Sequence, residues 1–179
     1  MAERHCGDCT LCCRLLPVRE LRKAANTRCD HQGHKGCAIY RRPGFPPSCH
    51  LWSCRWLLHD DTADMLRPDR SRYVIDVIPD IVRKHDASGV EEIEVVQVWV
   101  EPGCDPMQDR RFRRYAERQA ERGAGLLLRF SPSRAVAVFA PPMAADGQWH
   151  VVGDDKMRAA ASPSGNLIID KLTGAPPDA

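Results

Sequence analysis

The run Cys6-Gly7-Asp8-Cys9-Thr10-Leu11-Cys12-Cys13 decides how the first third of this chain folds. Two residues between cysteines let a tight turn aim both sulfurs at one ion, the knuckle geometry of thiolate metal sites. Two such knuckles overlap here, Cys6/Cys9 and Cys9/Cys12, with Cys13 adjacent. Neighbouring side chains point in different directions, so Cys12 and Cys13 do not serve one mononuclear ion equally. Either one of them is not a ligand, or the region holds more than one metal.

Working outward, Cys29, Cys37, Cys49 and Cys54 follow as distant partners that can close the chain over the first group. Eight of the nine cysteines thus fall between Cys6 and Cys54. The start, Met1-Ala2-Glu3-Arg4-His5, lacks the apolar stretch of a signal peptide, so the expected location is the cytoplasm. Disulfides are rare in that reducing compartment, and dense cysteines there more often bind metal or do redox chemistry than pair or sit inert. Four thiolates fill one tetrahedral zinc site or one iron–sulfur cluster, and eight can fill two. Soft sulfur favours zinc, copper(I) or iron–sulfur over calcium or magnesium. Charge agrees with this reading. Residues 1–59 carry ten Lys/Arg against four Asp/Glu, a basic shell suited to offset thiolates. His31, His34 and His50 lie among the cysteines, but with eight thiols at hand they read as surface residues around the site. Trp52 and Trp56 read as packing over it.

The C-x2-C-x2-C-C run, the segments Cys37-Ala38-Ile39-Tyr40 and Arg42-Pro43, and the aromatic-flanked end Cys49-His50-Leu51-Trp52-Ser53-Cys54-Arg55-Trp56 together resemble a bacterial family of zinc- or iron-chelating cysteine-cluster domains. The resemblance covers residues 6–58. It implies Cys6, Cys9, Cys12, Cys13, Cys29, Cys37, Cys49 and Cys54 as ligands and zinc or iron as the metal; it implies no defined activity. One departure is that Gly44-Phe45-Pro46-Pro47-Ser48, before Cys49, is about two residues longer than the family pattern.

The rest of the chain has a different character. Residues 1–60 form the cysteine-cluster region, Asp60 to Asp69 a polar joint with a turn at Arg67-Pro68, 71–172 a patterned domain, and 173–179 a tail expected to be disordered. Tyr73 to Ile78 and Glu92 to Val100 are β-branched and predict two strands joined as an antiparallel hairpin around Asp86-Ala87-Ser88-Gly89. Met107 to Arg122 carries Phe112, Tyr115, Ala116 and Gln119 at helical spacing and predicts an amphipathic helix ended by Gly123. Leu126 to Phe130, Ala135 to Ala140, Trp149 to Val152 and Leu167 to Ile169 predict further strands. The expected fold is therefore α+β: an irregular cysteine-rich region followed by a small antiparallel sheet with one helix.

Hydrophobic residues make up 43% of the 179, enough for a core, while no run reaches the ~18 apolar residues of a membrane span. A net charge of +2 gives no argument for nucleic acid. The mixed basic and aromatic run Arg110 to Tyr115 reads as a solvated helix face, and Cys104, isolated in a loop, as an ordinary thiol. There is no Gly-rich phosphate loop, no nucleophile elbow and no paired histidine motif, so no catalytic residue is nominated. The expectation is a protein coordinating zinc through thiolates, with an iron–sulfur redox role or metal delivery as alternatives, and with room for a protein partner.

Overall fold

The computed structural model describes residues 4–86, 89–131, 134–143, 146–153, 157–159 and 167–169. The expected tail at 173–179 lies outside them.

A long hairpin organises the molecule. Strand β3 (Tyr73–Asp86) runs antiparallel to β4 (Gly89–Val100), with the register shifting between Ile75 and Pro79. Proline has no amide hydrogen to give a ladder, and such a shift lets the strand bend around it. The chain then enters helix α5 (Arg110–Ala120) and returns as β5 (Gly125–Ser131), parallel to β4. Strands β6 (Arg134–Phe139) and β7 (His150–Val152) add antiparallel on one side. On the other side β9 (Leu167–Ile169) lies parallel to β3 and pairs antiparallel with β8 (Met157–Ala159). The strand order is β7-β6-β5-β4-β3-β9-β8.

The α+β class is as the sequence predicts, but the sheet is mixed rather than purely antiparallel. Helix α5 is the reason. A chain that leaves β4, crosses as a helix and re-enters the sheet comes back parallel, because only a crossover of this length can join parallel neighbours. The helix is also shorter than Met107 to Arg122. Pro106–Gln108 form a tight 3-10 turn, and Asp109 caps α5 by accepting from the Arg111 backbone N–H at 2.9 Å.

Helix α5 lays Phe112 and Tyr115 on one sheet face, against Tyr73, Ile75, Val96, Val98, Val100, Leu126, Leu128 and Val138. Its arginines at 110, 111, 113 and 114 face outward, so the basic–aromatic run is an ordinary amphipathic helix. The cysteine-rich segment lies against Val74 and Trp99 of β3 and β4. Successive strand residues face opposite ways, so Val74 serves this segment while Tyr73 and Ile75 serve α5.

That segment is built of short pieces: α1 (Leu11–Leu15), a small hairpin of β1 (Gln32–Gly33) with β2 (Gly36–Cys37), α2 (Pro47–Leu51), α3 (Arg55–Leu58) and α4 (Pro68–Ser71). None exceeds five residues, too short to stand on backbone hydrogen bonding alone.

Phe112 is fully buried, with its ring centroid 5.0 Å from that of Tyr73 in an edge-on contact. Phe112→Ala is expected to destabilise the sheet domain by about 3–5 kcal/mol, read as a lowered urea midpoint with unchanged slope.

Candidate metal centre

All eight N-terminal cysteines (Cys6, Cys9, Cys12, Cys13, Cys29, Cys37, Cys49 and Cys54) line one cavity of about 740 Å³, and none of them is in a disulfide. Residues up to 48 positions apart in sequence thus reach one wall, singly or in pairs, through separate backbone devices.

The first knuckle is closed by the Cys9 N–H donating to the Cys6 carbonyl at 3.0 Å. The turn passes through Gly7 at φ +56°, a left-handed backbone that L side chains rarely adopt. Helix α1 follows, and Leu11 and Leu15, one turn apart, anchor it in the cluster that contains Val74 and Cys54. Cys12 and Cys13 sit side by side on this helix, about 100° apart around its axis.

Cys29 is tied to the first group directly: its N–H donates to the Cys13 carbonyl at 3.1 Å. The Cys29 carbonyl accepts from Gln32 N–H at 3.0 Å, and Gln32 is the cross-strand partner of Cys37. The Gln32 side chain donates to Thr10 Oγ1 at 2.7 Å, which docks the hairpin on the first knuckle. Cys49 lies in α2, started by Pro47 at its first position. Glu20 holds the preceding residue, accepting from Ser48 N at 3.1 Å and Ser48 Oγ at 2.9 Å. The longer Gly44–Ser48 stretch therefore still delivers Cys49 to the cavity.

Cys54 is tied to the sheet. It forms an isolated antiparallel bridge with Asp76 of β3. The buried Asp76 carboxylate accepts from Trp52 Nε1 at 3.1 Å and from Ile78 N at 3.0 Å. Next along the chain, Arg55 clasps Asp61 with Nη2 and Nε at 2.9 and 3.0 Å from Oδ2. Gln119 of α5 donates to the same oxygen at 3.2 Å.

Electrostatics in the cavity follow from crowding. Burial raises the Cys6, Cys9, Cys37 and Cys49 thiols above the ordinary range and pushes Cys54 up to about 11. Cys12 and Cys13 share a hydrogen bond: Cys12 donates, so its own proton is held more tightly, and Cys13 is lowered to about 7. Lys35 and Arg41 line the cavity, and two further cations, Lys23 and Arg67, act on the sulfurs from outside its lining. Lys23 interacts electrostatically with Cys29, Cys13, Cys49 and Cys12, in that order. Its ammonium donates to the carbonyls of Arg14 (3.3 Å), Leu16 and Ala24 (3.2 Å). Arg67 faces Cys6 and Cys9, reaching the Cys6 carbonyl at 3.4 Å, and pairs with Asp8 at 2.8 Å and Asp69 at 2.6 Å.

Among the described residues, no three Cys, His, Asp or Glu side chains converge closely enough to hold an ion as they stand. What fits a soft metal is the donor set: eight unpaired thiols on one wall, with basic side chains beside them. His31 and His50 also line the cavity, whereas His34 and Cys104 are not on its wall. Cys104 instead points its thiol at the Ser71 carbonyl, 3.7 Å away. Trp52 lines the cavity, and Trp56 packs at its base while donating to the Met65 carbonyl at 3.2 Å. Sequence reading counted Lys23 in the basic shell without singling it out, and assigned Arg67 and Asp76 no role at the site. Of these only Asp76 left a signal, as an acid inside the β-branched run Tyr73 to Ile78.

No family model matches the chain, and neither a curated protein nor a solved structure matches it.

The Arg55–Asp61 pair has side-chain exposures of only 16% and 8%, so its loss is felt in full. Burial alone would raise Asp61, but the Arg55 hydrogen bonds and charge outweigh it and hold its carboxyl below the usual range. A lowered folded-state pKa contributes stability above the unfolded value of about 4, which is lost as pH falls through the folded value. Asp61→Asn is expected to cost about 1.5–3 kcal/mol at neutral pH. It should also flatten the decline in stability below about pH 4, measured by urea denaturation across pH.

Proposed function

We propose that this protein coordinates zinc through its N-terminal thiolates and that the bound metal fixes the fold of residues 6–54. The observation that carries this reading is that eight cysteines outside any disulfide, from six separate backbone settings, line one cavity. Chance burial of free thiols does not gather every cysteine of a segment on one wall. The short elements of this segment bury little on their own, and a structural metal supplies the missing folding energy, as it does in other small cysteine-rich units. Ionising the thiols one after another is opposed by their burial, and a divalent cation among them removes that opposition. The excess of basic residues offsets the net negative charge of a zinc–thiolate centre. Free thiols suit the reducing cytoplasm.

An iron–sulfur cluster is the second reading. The volume of the cavity, about 740 Å³, favours it, since that is more room than a bare ion needs. Both centres use the same thiolates, so metal content decides between them. Among the described residues no helix is long and apolar enough to cross a membrane. The sheet domain beyond the site leaves room for a protein partner.

Protein purified without oxygen is expected to carry stoichiometric zinc and to be colourless. Brown protein absorbing near ~400 nm would assign the iron–sulfur reading instead. Cys9→Ser combined with Cys12→Ser should lower the metal content and the melting temperature. Metal content and melting unchanged by that pair would refute thiolate coordination altogether.

A further inference from the structure

We infer that the eight cysteines divide into two four-thiolate sites, Cys6, Cys9, Cys12 and Cys54 in one and Cys13, Cys29, Cys37 and Cys49 in the other, abutting at the Cys12–Cys13 pair. This deepens the proposed metal-binding reading and rests on it.

The division follows the backbone. Cys6 and Cys9 are closed into one turn, and Cys9 packs into the cluster that holds Cys54, Leu11 and Val74. The thiols that act electrostatically on Cys54 are Cys6 and Cys9, and those on Cys12, besides adjacent Cys13, are Cys9 and Cys54. Cys9 and Cys54 of this group pack with Val74 of the sheet. The second group is tied together through its own backbone. Cys13 and Cys29 share a backbone hydrogen bond of 3.1 Å, and Cys29 is linked through Gln32 to Cys37. The thiols that act electrostatically on Cys37 are Cys13 and Cys29, and those on Cys49 are Cys13, Cys29 and Cys37. Besides Cys12–Cys13, two interactions cross the division: Cys13 acts on Cys6, and Cys12 acts on Lys23.

Helix geometry explains why the boundary falls between adjacent residues. Leu11 and Leu15 fix the rotation of α1 by burying its apolar side, and consecutive positions then project about 100° apart. Cys12 is thereby carried toward Cys54 and Cys13 toward Cys29. Each group also has a cation weighted toward it: Arg67 acts on Cys6 and Cys9, and Lys23 acts most on Cys29, Cys13 and Cys49 and least on Cys12. Four thiolates complete a closed tetrahedral zinc site, so the arrangement accepts two zinc ions, each displacing the protons of its own four thiols.

The test loads metal-free, reduced protein with zinc under anaerobic conditions. It reads zinc per chain and maps thiols protected from alkylation by mass spectrometry. Two zinc ions per chain are expected, with Cys104 the one cysteine open to reagent. Cys6→Ser with Cys54→Ser should lose one ion and keep Cys13, Cys29, Cys37 and Cys49 protected. Cys29→Ser with Cys37→Ser should lose one and keep Cys6, Cys9, Cys12 and Cys54 protected. Cys6→Ser with Cys37→Ser, one from each group, should weaken both ions. Because a variant can fail to fold, wild-type protein loaded with cadmium-113 supplies an independent reading, and two cadmium resonances are expected. One zinc per chain, one cadmium resonance, or a same-group pair that exposes both groups equally would overturn the division while leaving metal binding intact. Wild-type protein that takes up no zinc would overturn the functional reading itself, and the division with it.

Discussion

Sulfurs packed beside one another in a half-buried wall resist ionisation, and every other feature of the N-terminal region answers to that constraint. A thiolate that loses its water and gains sulfur neighbours is less stable than a free one, and this raises Cys6, Cys9, Cys37, Cys49 and Cys54. The one thiol that goes the other way, Cys13, does so because Cys12 gives it a hydrogen bond and Lys23 stands nearby. Lys35 and Arg41 on the cavity lining, with Lys23 and Arg67 behind it, soften the wall without neutralising it. Under the proposed zinc reading, proton release that is costly sulfur by sulfur becomes favourable when an ion takes the place of the protons.

The sheet gives this wall a fixed floor. Cys54 is bridged to Asp76, Trp52 is held by the Asp76 carboxylate, and Val74 forms part of the cavity lining. On the far side of α3, Asp61 gathers Arg55 and Gln119, so the segment that follows Cys54 is coupled to α5. Helix α5 in turn fills the opposite sheet face with Phe112 and Tyr115. A path of packed side chains and hydrogen bonds thus runs from the thiols through β3 to the helix. The hairpin of β3 and β4 serves both faces, because its side chains alternate between them.

How far this was legible in the sequence depended on the kind of signal. The strands were readable because Val74, Ile75, Val95, Val96 and Val98 are β-branched at consecutive buried positions, and Phe112, Tyr115 and Ala116 mark the helix by period. The parallel pairing of β4 with β5 was not, since strand direction is set by the crossover helix and leaves no mark in either strand. The start of α5 was misplaced because Pro106 to Gln108 suit a tight turn as well as a first helical turn. At the site, spacing singled out the eight cysteines, and the structure gathers them on one cavity wall. Sequence reading gave the basic excess that includes Lys23 but not which cations lie near the sulfurs, because a basic residue facing sulfur and one facing water look alike in sequence. Nor did it sort the thiols, because Cys29, Cys37 and Cys49 acquire their neighbours through Gln32, Glu20 and the Cys13 carbonyl, contacts between distant positions.

The two halves of the cysteine region do not rest on the same support. Leu11, Leu15 and Val18 are buried near the first knuckle, and Val74 and Trp99 back them from the sheet. Between residues 19 and 50, by contrast, only Ala25, Cys29 and Pro46 are buried. Apolar burial at roughly 25 cal/mol per Å² cannot hold thirty-odd residues in place when so few side chains leave water, since ordering each residue costs about 1–2 kcal/mol. Backbone hydrogen bonds at Cys29, Gln32 and Ser48 fix local turns but add little net stability. The lobe that carries Cys29, Cys37 and Cys49 is therefore the part with the greatest need of a cross-link, and it is the part where three thiols and Lys23 meet the one thiol, Cys13, that ionises most readily. Metal bound there would act chiefly on folding, whereas metal bound by Cys6, Cys9, Cys12 and Cys54 would sit on a floor the sheet has already built.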